Sequence, residues 1–137
     1  DRIPWQDILS TYFSYKTLAP AVDRNEHLFL DPYTGIRLIP LGGRWSPGYI
    51  FAPELVEIAV DSPKKLILIY DQSLARGRVQ QDLHGKLMHF ANHGVHGFAY
   101  VSHACFVLLG HDEGAVEGAL ETLQKSSSLP DNRFLKA

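Results

Sequence analysis

The run LILIY at residues 66–70 is the stretch on which the fold prediction depends. Five consecutive aliphatic or aromatic residues, with no polar residue among them, predict a strand that is buried on both faces. A helix is predicted next, from residue 78 to residue 92, and Gly94 ends it as a left-handed cap. Its apolar positions recur every three or four residues: Val79, Leu83, Leu87 and Phe90.

Two strands and a second helix follow. The strands are predicted at residues 95–101 and 105–109, with a tight connection at residues 102–104. From residue 112 to residue 124, Val116, Leu120 and Leu123 share one face and glutamates occupy the other, which is typical of an amphipathic helix. The order strand, helix, strand, strand, helix predicts a ferredoxin-like βαββα core, with both helices on one face of an antiparallel sheet.

The N-terminal part predicts an addition to this core. An apolar stripe over residues 7–18 predicts a short helix, and the turn residues DPYTG at 31–35 predict a hairpin between strands at 27–30 and 36–40. This hairpin could supply the missing edge of the core sheet. A Gly/Pro-rich loop with an extended piece at 49–51 and a short helix at 53–60 come next.

The predicted class is therefore α+β in a single domain spanning 1–137. It divides into an N-terminal helix and hairpin addition (1–61), the ferredoxin-like core (62–124) and a tail (125–137) with a last strand at 134–136.

Composition excludes several classes of protein. The 137 residues are 45% apolar and 20% charged, which is typical of a globular domain rather than a disordered or collagen-like chain. Thirteen basic and fifteen acidic side chains give a net charge of −2, so no nucleic-acid partner is expected. No apolar run approaches the ~20 residues of a membrane span.

The single cysteine, Cys105, lies in an apolar run and predicts a buried thiol. A chain that opens with Asp1 and carries no signal-peptide pattern indicates a cytoplasmic, cut or processed domain.

Two resemblances extend the fold prediction. GVHGFAY at 94–100 followed by FVLLG at 106–110 resembles the flavin-binding BLUF domain. This resemblance implies ligand-binding roles for Tyr70 and Asn92. The glutamine of that family's third strand is absent, because Phe106 and Val107 stand there, and no cofactor is expected.

GRVQ at 77–80 is similar to the phosphate-cradling loop of acylphosphatase. The catalytic arginine and asparagine of that family are also absent. Apart from the resemblance, Arg76 and Arg78 flank Gly77 at the start of a helix, where guanidinium groups and helix N–H groups favour an anion. A solvated basic loop is the alternative interpretation.

Two further groups are candidate sites. Six of the seven histidines lie between His84 and His111, and His89 and His93 are four residues apart on the predicted helix, a spacing that suits a metal ion. Surface or capping histidines are the alternative. In the Gly/Pro-rich loop, aromatic residues could anchor a protein partner or fill the core. They are Trp45, Tyr49 and Phe51.

These observations favour a non-catalytic protein-interaction or regulatory module, part of a larger protein or assembly. Its partner would be another protein or a second copy, bound through the open sheet edge or the aromatic loop. No catalytic residue is predicted. The alternative is a small-ligand sensor or phosphate-handling enzyme that uses the loop from Arg76 to Arg78 and a histidine.

Overall fold

The computed structural model of the chain describes residues 5–10 (backbone only), 27–32, 34–38, 49–74, 76–126 and 128–137. The strands in this part are β1 (Trp5–Ser10), β2 (His27–Pro32), β3 (Gly35–Arg37), β4 (Tyr49–Phe51), β5 (Leu66–Tyr70), β6 (His96–Tyr100), β7 (Phe106–Gly110) and β8 (Phe134–Lys136). The helices are α1 (Ala52–Asp61), α2 (Val79–Asn92), α3 (Glu113–Ser126) and a 3-10 helix (Asp131–Arg133).

The main sheet is mixed. Its strand order is β1-β2-β5-β7-β6-β8, in which β1, β2 and β5 are parallel to one another. β7 lies antiparallel between β5 and β6, and β8 is antiparallel to β6. A second sheet contains β3 and β4, which are parallel.

Helices cover both faces of the main sheet. Buried residues of α1 and α2 form one cluster with Ile67 and Ile69 of β5, and buried residues of α3 form another with Leu66. Successive side chains of a strand point to opposite faces. The uninterrupted apolar run of β5 is therefore explained by helices on either side. Among the described helices, none is long and apolar enough to cross a bilayer.

The α+β class is confirmed, and the ferredoxin-like arrangement is not. The strand order β5-β7-β6 suits it, but β8 adds to β6 at the far edge, and β2 occupies the place beside β5. The prediction that both helices pack on one face is wrong, because α2 and α3 belong to separate clusters on opposite faces. β5 and β7 carry apolar residues on both faces, and a helix on each face removes these residues from water, which is favourable.

Two N-terminal predictions also differ from the structure. The predicted hairpin is wrong: both strands form, but β2 pairs with β1 and β5 while β3 pairs with β4. Backbone groups of β2 find partners on two long strands, which three residues of β3 could not match. The helix predicted at 7–18 is a strand as far as Ser10, where parallel pairing with β2 outweighs a weak local preference. Residues 11–18 lie outside the described part.

Candidate functional site

The outer edge of β8 is the first candidate site. Among the described residues, β8 pairs with β6 on one side and with no strand on the other. The amide of Val101 donates to the carbonyl of Arg133 at 2.9 Å, so the backbone of Arg133 faces β6. The backbone N–H and C=O groups of successive residues in an antiparallel strand point to alternate sides. Those of Leu135 therefore also point toward β6. The C=O group of Phe134 and the N–H and C=O groups of Lys136 therefore point away from β6, whereas the N–H of Phe134 donates to the carbonyl of Asp131 in the 3-10 helix.

Side chains hold this edge in place. The ring centroid of Phe134 lies 5.1 Å from that of Tyr100 and 6.1 Å from that of Phe98. Leu135 packs against the cluster under α1 and α2. Lys136 Nζ lies 2.8 Å from Glu117 Oε1 on α3, a solvent-exposed ion pair that contributes little free energy but positions the lysine. These contacts hold β8 against β6 and α3.

A buried polar cluster lies where β5 ends. Lys86 of α2 reaches Asp71 with 2.6 Å between Nζ and Oδ2, and it also donates to Ser73 Oγ and the carbonyl of Ile36, both at 2.9 Å. Asp71 Oδ1 accepts from the amides of Ser73 and Ile36 at 2.9 and 3.2 Å and lies 2.6 Å from Ser73 Oγ. The carboxylate side chain has no exposed surface.

This cluster ties three elements together. Its residues come from β3, from the segment after β5 and from α2. An ammonium group has three N–H donors, and those of Lys86 all point to acceptors inside the protein. The lysine therefore has no donor left for a ligand. The arrangement fixes the small sheet against α2.

Gly35 makes the close approach of β3 possible. A Cβ at this position would lie 2.0 Å from Asp71 Oδ1, and the residue has φ +148°. Only glycine adopts this conformation readily and leaves that space to the carboxylate.

The predicted ligand-binding residues fall in three separate places. Arg76, Gly77 and Arg78 form an exposed turn before α2, and Arg78 makes no side-chain cap for that helix. Asn92 is exposed at the other end of α2, about 20 Å away for a helix of this length. Tyr70 lies on the sheet face opposite α2, where its ring centroid is 5.1 Å from that of Phe106. One ligand cannot use all of them, and the anion site at the turn stays a prediction.

The predicted partner-binding aromatics are only partly described. Tyr49 and Phe51 belong to β4 and are half-buried, while Trp45 lies outside the described residues. The guanidinium carbon of Arg37 lies 5.6 Å from the ring centroid of Tyr49, which is the geometry of a cation–π contact. Their role in binding a partner stays a prediction.

Several histidines lie near the end of α2 and the start of β6. The rings of His89 and His93 lie 4.5 Å apart, and His111 Nδ1 lies 3.2 Å from the carbonyl of Gly94. No group of three or more histidine, cysteine or acidic residues in the described part is arranged to hold a metal ion. Within the part of the chain that the structure describes, a site at His89 and His93 would therefore have two protein ligands.

His27 has a different role. The amide of Leu66 donates to His27 Nδ1 at 2.8 Å, so this nitrogen carries no proton in the folded protein. Burial, and then the positive charge of Lys65, lower the pKa of His27 below its ordinary value. The neutral ring connects β2 to the start of β5.

Sequence reasoning missed the buried cluster, although two signals pointed to it. Asp71 follows the all-apolar strand directly, with Ser73 two residues later. Lys86 falls on the apolar stripe of α2, three residues after Leu83 and four before Phe90. A charged residue in such a stripe predicts a buried partner.

The relations of the chain to known proteins add nothing to this geometry. The chain matches no protein-family model, and no curated protein and no solved structure shows significant similarity to it.

Proposed function

We propose that the chain is a non-catalytic interaction module that associates with a second copy of itself through β8. The observation that carries the proposal is the outer edge of β8, where the C=O of Phe134 and the N–H and C=O of Lys136 point away from β6. Such an edge is a template for another strand.

The register of β8 suits a second copy in particular. In an antiparallel pair of β8 strands centred on Leu135, Phe134 of each copy lies opposite Lys136 of the other. The backbone of Leu135 faces β6 and forms the non-hydrogen-bonded centre of that pair. The N–H of Lys136 in each copy donates to the C=O of Phe134 in the other, which gives two hydrogen bonds, because the N–H of Phe134 already donates to Asp131. No two lysines are directly opposite, and each lysine stem can lie against a phenylalanine ring. The contact is self-complementary and closes as a two-fold dimer.

Two substitutions at one position test the backbone contact. Lys136→Pro removes an outward N–H and leaves the β6 side of the ladder intact, because that N–H does not face β6. Lys136→Ala removes the ion pair with Glu117 but keeps the N–H. We expect sedimentation velocity at rising protein concentration to show a dimer for the parent chain and for Lys136→Ala, and a monomer for Lys136→Pro.

Amide hydrogen exchange provides the second measurement. The amide of Lys136 should become protected as the concentration rises, whereas the amides of Phe134 and Leu135 should be protected at every concentration because they bond to Asp131 and to β6. The proposal is wrong if the parent chain stays monomeric up to about 1 mM. A dissociation constant above that concentration corresponds to a binding free energy weaker than about 4 kcal/mol. It is also wrong if Lys136→Pro dimerises as the parent does.

A further inference from the structure

The last turn of α2 brings two imidazole rings together. His89 and His93 are four residues apart, their ring centroids are separated by 4.5 Å and their planes are tilted by 34°. Two nitrogens bound to one Zn²⁺ or similar ion are about 3 Å apart, since each bond is about 2 Å long. The two rings are close enough for small side-chain rotations to bring one nitrogen of each to a shared ion.

The backbone already orients one of the two rings. His93 Nδ1 lies 2.8 Å from the carbonyl oxygen of His89. A carbonyl oxygen only accepts hydrogen bonds, so Nδ1 carries the proton and the lone pair of the neutral ring is on Nε2. Histidine ligands of metal ions are commonly held in this way, with the second nitrogen donating to a carbonyl.

The backbone next to the two rings is hydrogen-bonded. The amide of His93 donates to the carbonyl of Phe90 at 3.0 Å, and the amide of Val95 donates to the same oxygen at 2.9 Å. The His89 ring rests edge-on against Phe90, 5.9 Å between centroids.

We propose that His89 and His93 chelate a divalent transition-metal ion, with water completing its coordination. Two imidazoles select Cu²⁺, Ni²⁺ or Zn²⁺ over Mg²⁺, and Cu²⁺ should bind most tightly of these ions. His93 is exposed, so an ion can reach the pair from solvent. The site shares no residue with β8 or with the proposed dimer contact.

Calorimetric titration with Cu²⁺ and Zn²⁺ tests the site. We expect His89→Gln and His93→Gln each to weaken Cu²⁺ binding by at least about tenfold, the smallest loss seen even for outer partners of metal ligands. His84→Gln, an exposed histidine of the same helix, is the matched control and should leave the affinity unchanged. Circular dichroism establishes that each variant is folded.

Three results would overturn the proposal. The first is Cu²⁺ binding to the double variant His89→Gln/His93→Gln that is within about threefold of the parent, which would place the ion elsewhere. The second is an equal loss of affinity in His84→Gln. The third is Mg²⁺ binding as tightly as Zn²⁺, which imidazole ligands do not allow.

Discussion

Replacement of Lys86 by methionine should destabilise the fold more than any surface substitution. Methionine has a similar stem and no charge, so Lys86→Met removes three hydrogen bonds and leaves the Asp71 carboxyl, which has no exposed surface, without its counter-ion. Loss of one partner of a buried ion pair costs about 3–5 kcal/mol. The amides of Ile36 and Ser73 still bond to the carboxylate, and we therefore expect the lower end, about 3 kcal/mol.

Urea unfolding followed by circular dichroism measures this loss directly. For a chain of this length, 3 kcal/mol corresponds to a fall in melting temperature of roughly 10 °C. A double-mutant cycle with Asp71→Asn separates the pair from its surroundings. The double variant should lose less than the sum of the single losses, with a coupling of at least about 1.5 kcal/mol.

The reasoning would be refuted by a loss below about 1 kcal/mol for Lys86→Met, the range of a surface ion pair. Additive losses in the cycle would refute it as well, because side chains that share a buried charge cannot act independently.

Three further predictions concern other parts of the chain. Because burial lowers the pKa of His27 from 6.5, the unfolded chain binds a proton first as the pH falls. The stability that the neutral ring contributes is therefore complete above about pH 6.5 and is lost below it, and His27→Asn should flatten the pH dependence of the urea midpoint between pH 7 and pH 5. Gly35→Ala should cost about 3 kcal/mol or more in urea unfolding, since its Cβ would meet Asp71 Oδ1 at 2.0 Å, whereas Gly85→Ala in open space on α2 should stabilise by about 0.5–1 kcal/mol. If the turn before α2 binds anions, inorganic phosphate should raise the melting temperature of the parent chain and not of Arg78→Ala, and equal shifts would exclude the site.

Local patterns were sufficient to predict most of the elements in the second half of the chain. The run LILIY is β5 at residues 66–70, and the helices predicted at 78–92 and 112–124 are α2 and α3 to within two residues. These elements have strong periodicity and a clear cap, such as Gly94 with φ +77° at the end of α2. The strands at 27–30 and 49–51 were also recognisable from their residues, and the helix at 53–60 from its proline and apolar stripe.

The choice of neighbours could not be predicted in this way. The turn DPYTG favours a hairpin, yet the strands on its two sides join different sheets. Pairing depends on which backbone edges remain available after the whole sheet has assembled, and no local pattern contains that information. The same reason explains why the outermost strand, β8, lies beside β6 instead of β5.

Local spacing also indicated one candidate site, whereas another depends on the tertiary structure. Spacing alone indicated that His89 and His93 share a helix face, because four residues make about one turn. The contact of Lys86 with Asp71 and with the carbonyl of Ile36 joins residues 15 and 50 positions apart.

The sequence by itself determined the α+β class, the order of most strands and helices, and the apolar faces that had to be buried. Tertiary structure alone decided the strand order, the placement of α2 and α3 on opposite faces, and the burial of Asp71 with Lys86. Helices and strands follow from forces between residues a few positions apart, whereas strand neighbours and buried ion pairs depend on what the rest of the chain excludes from water.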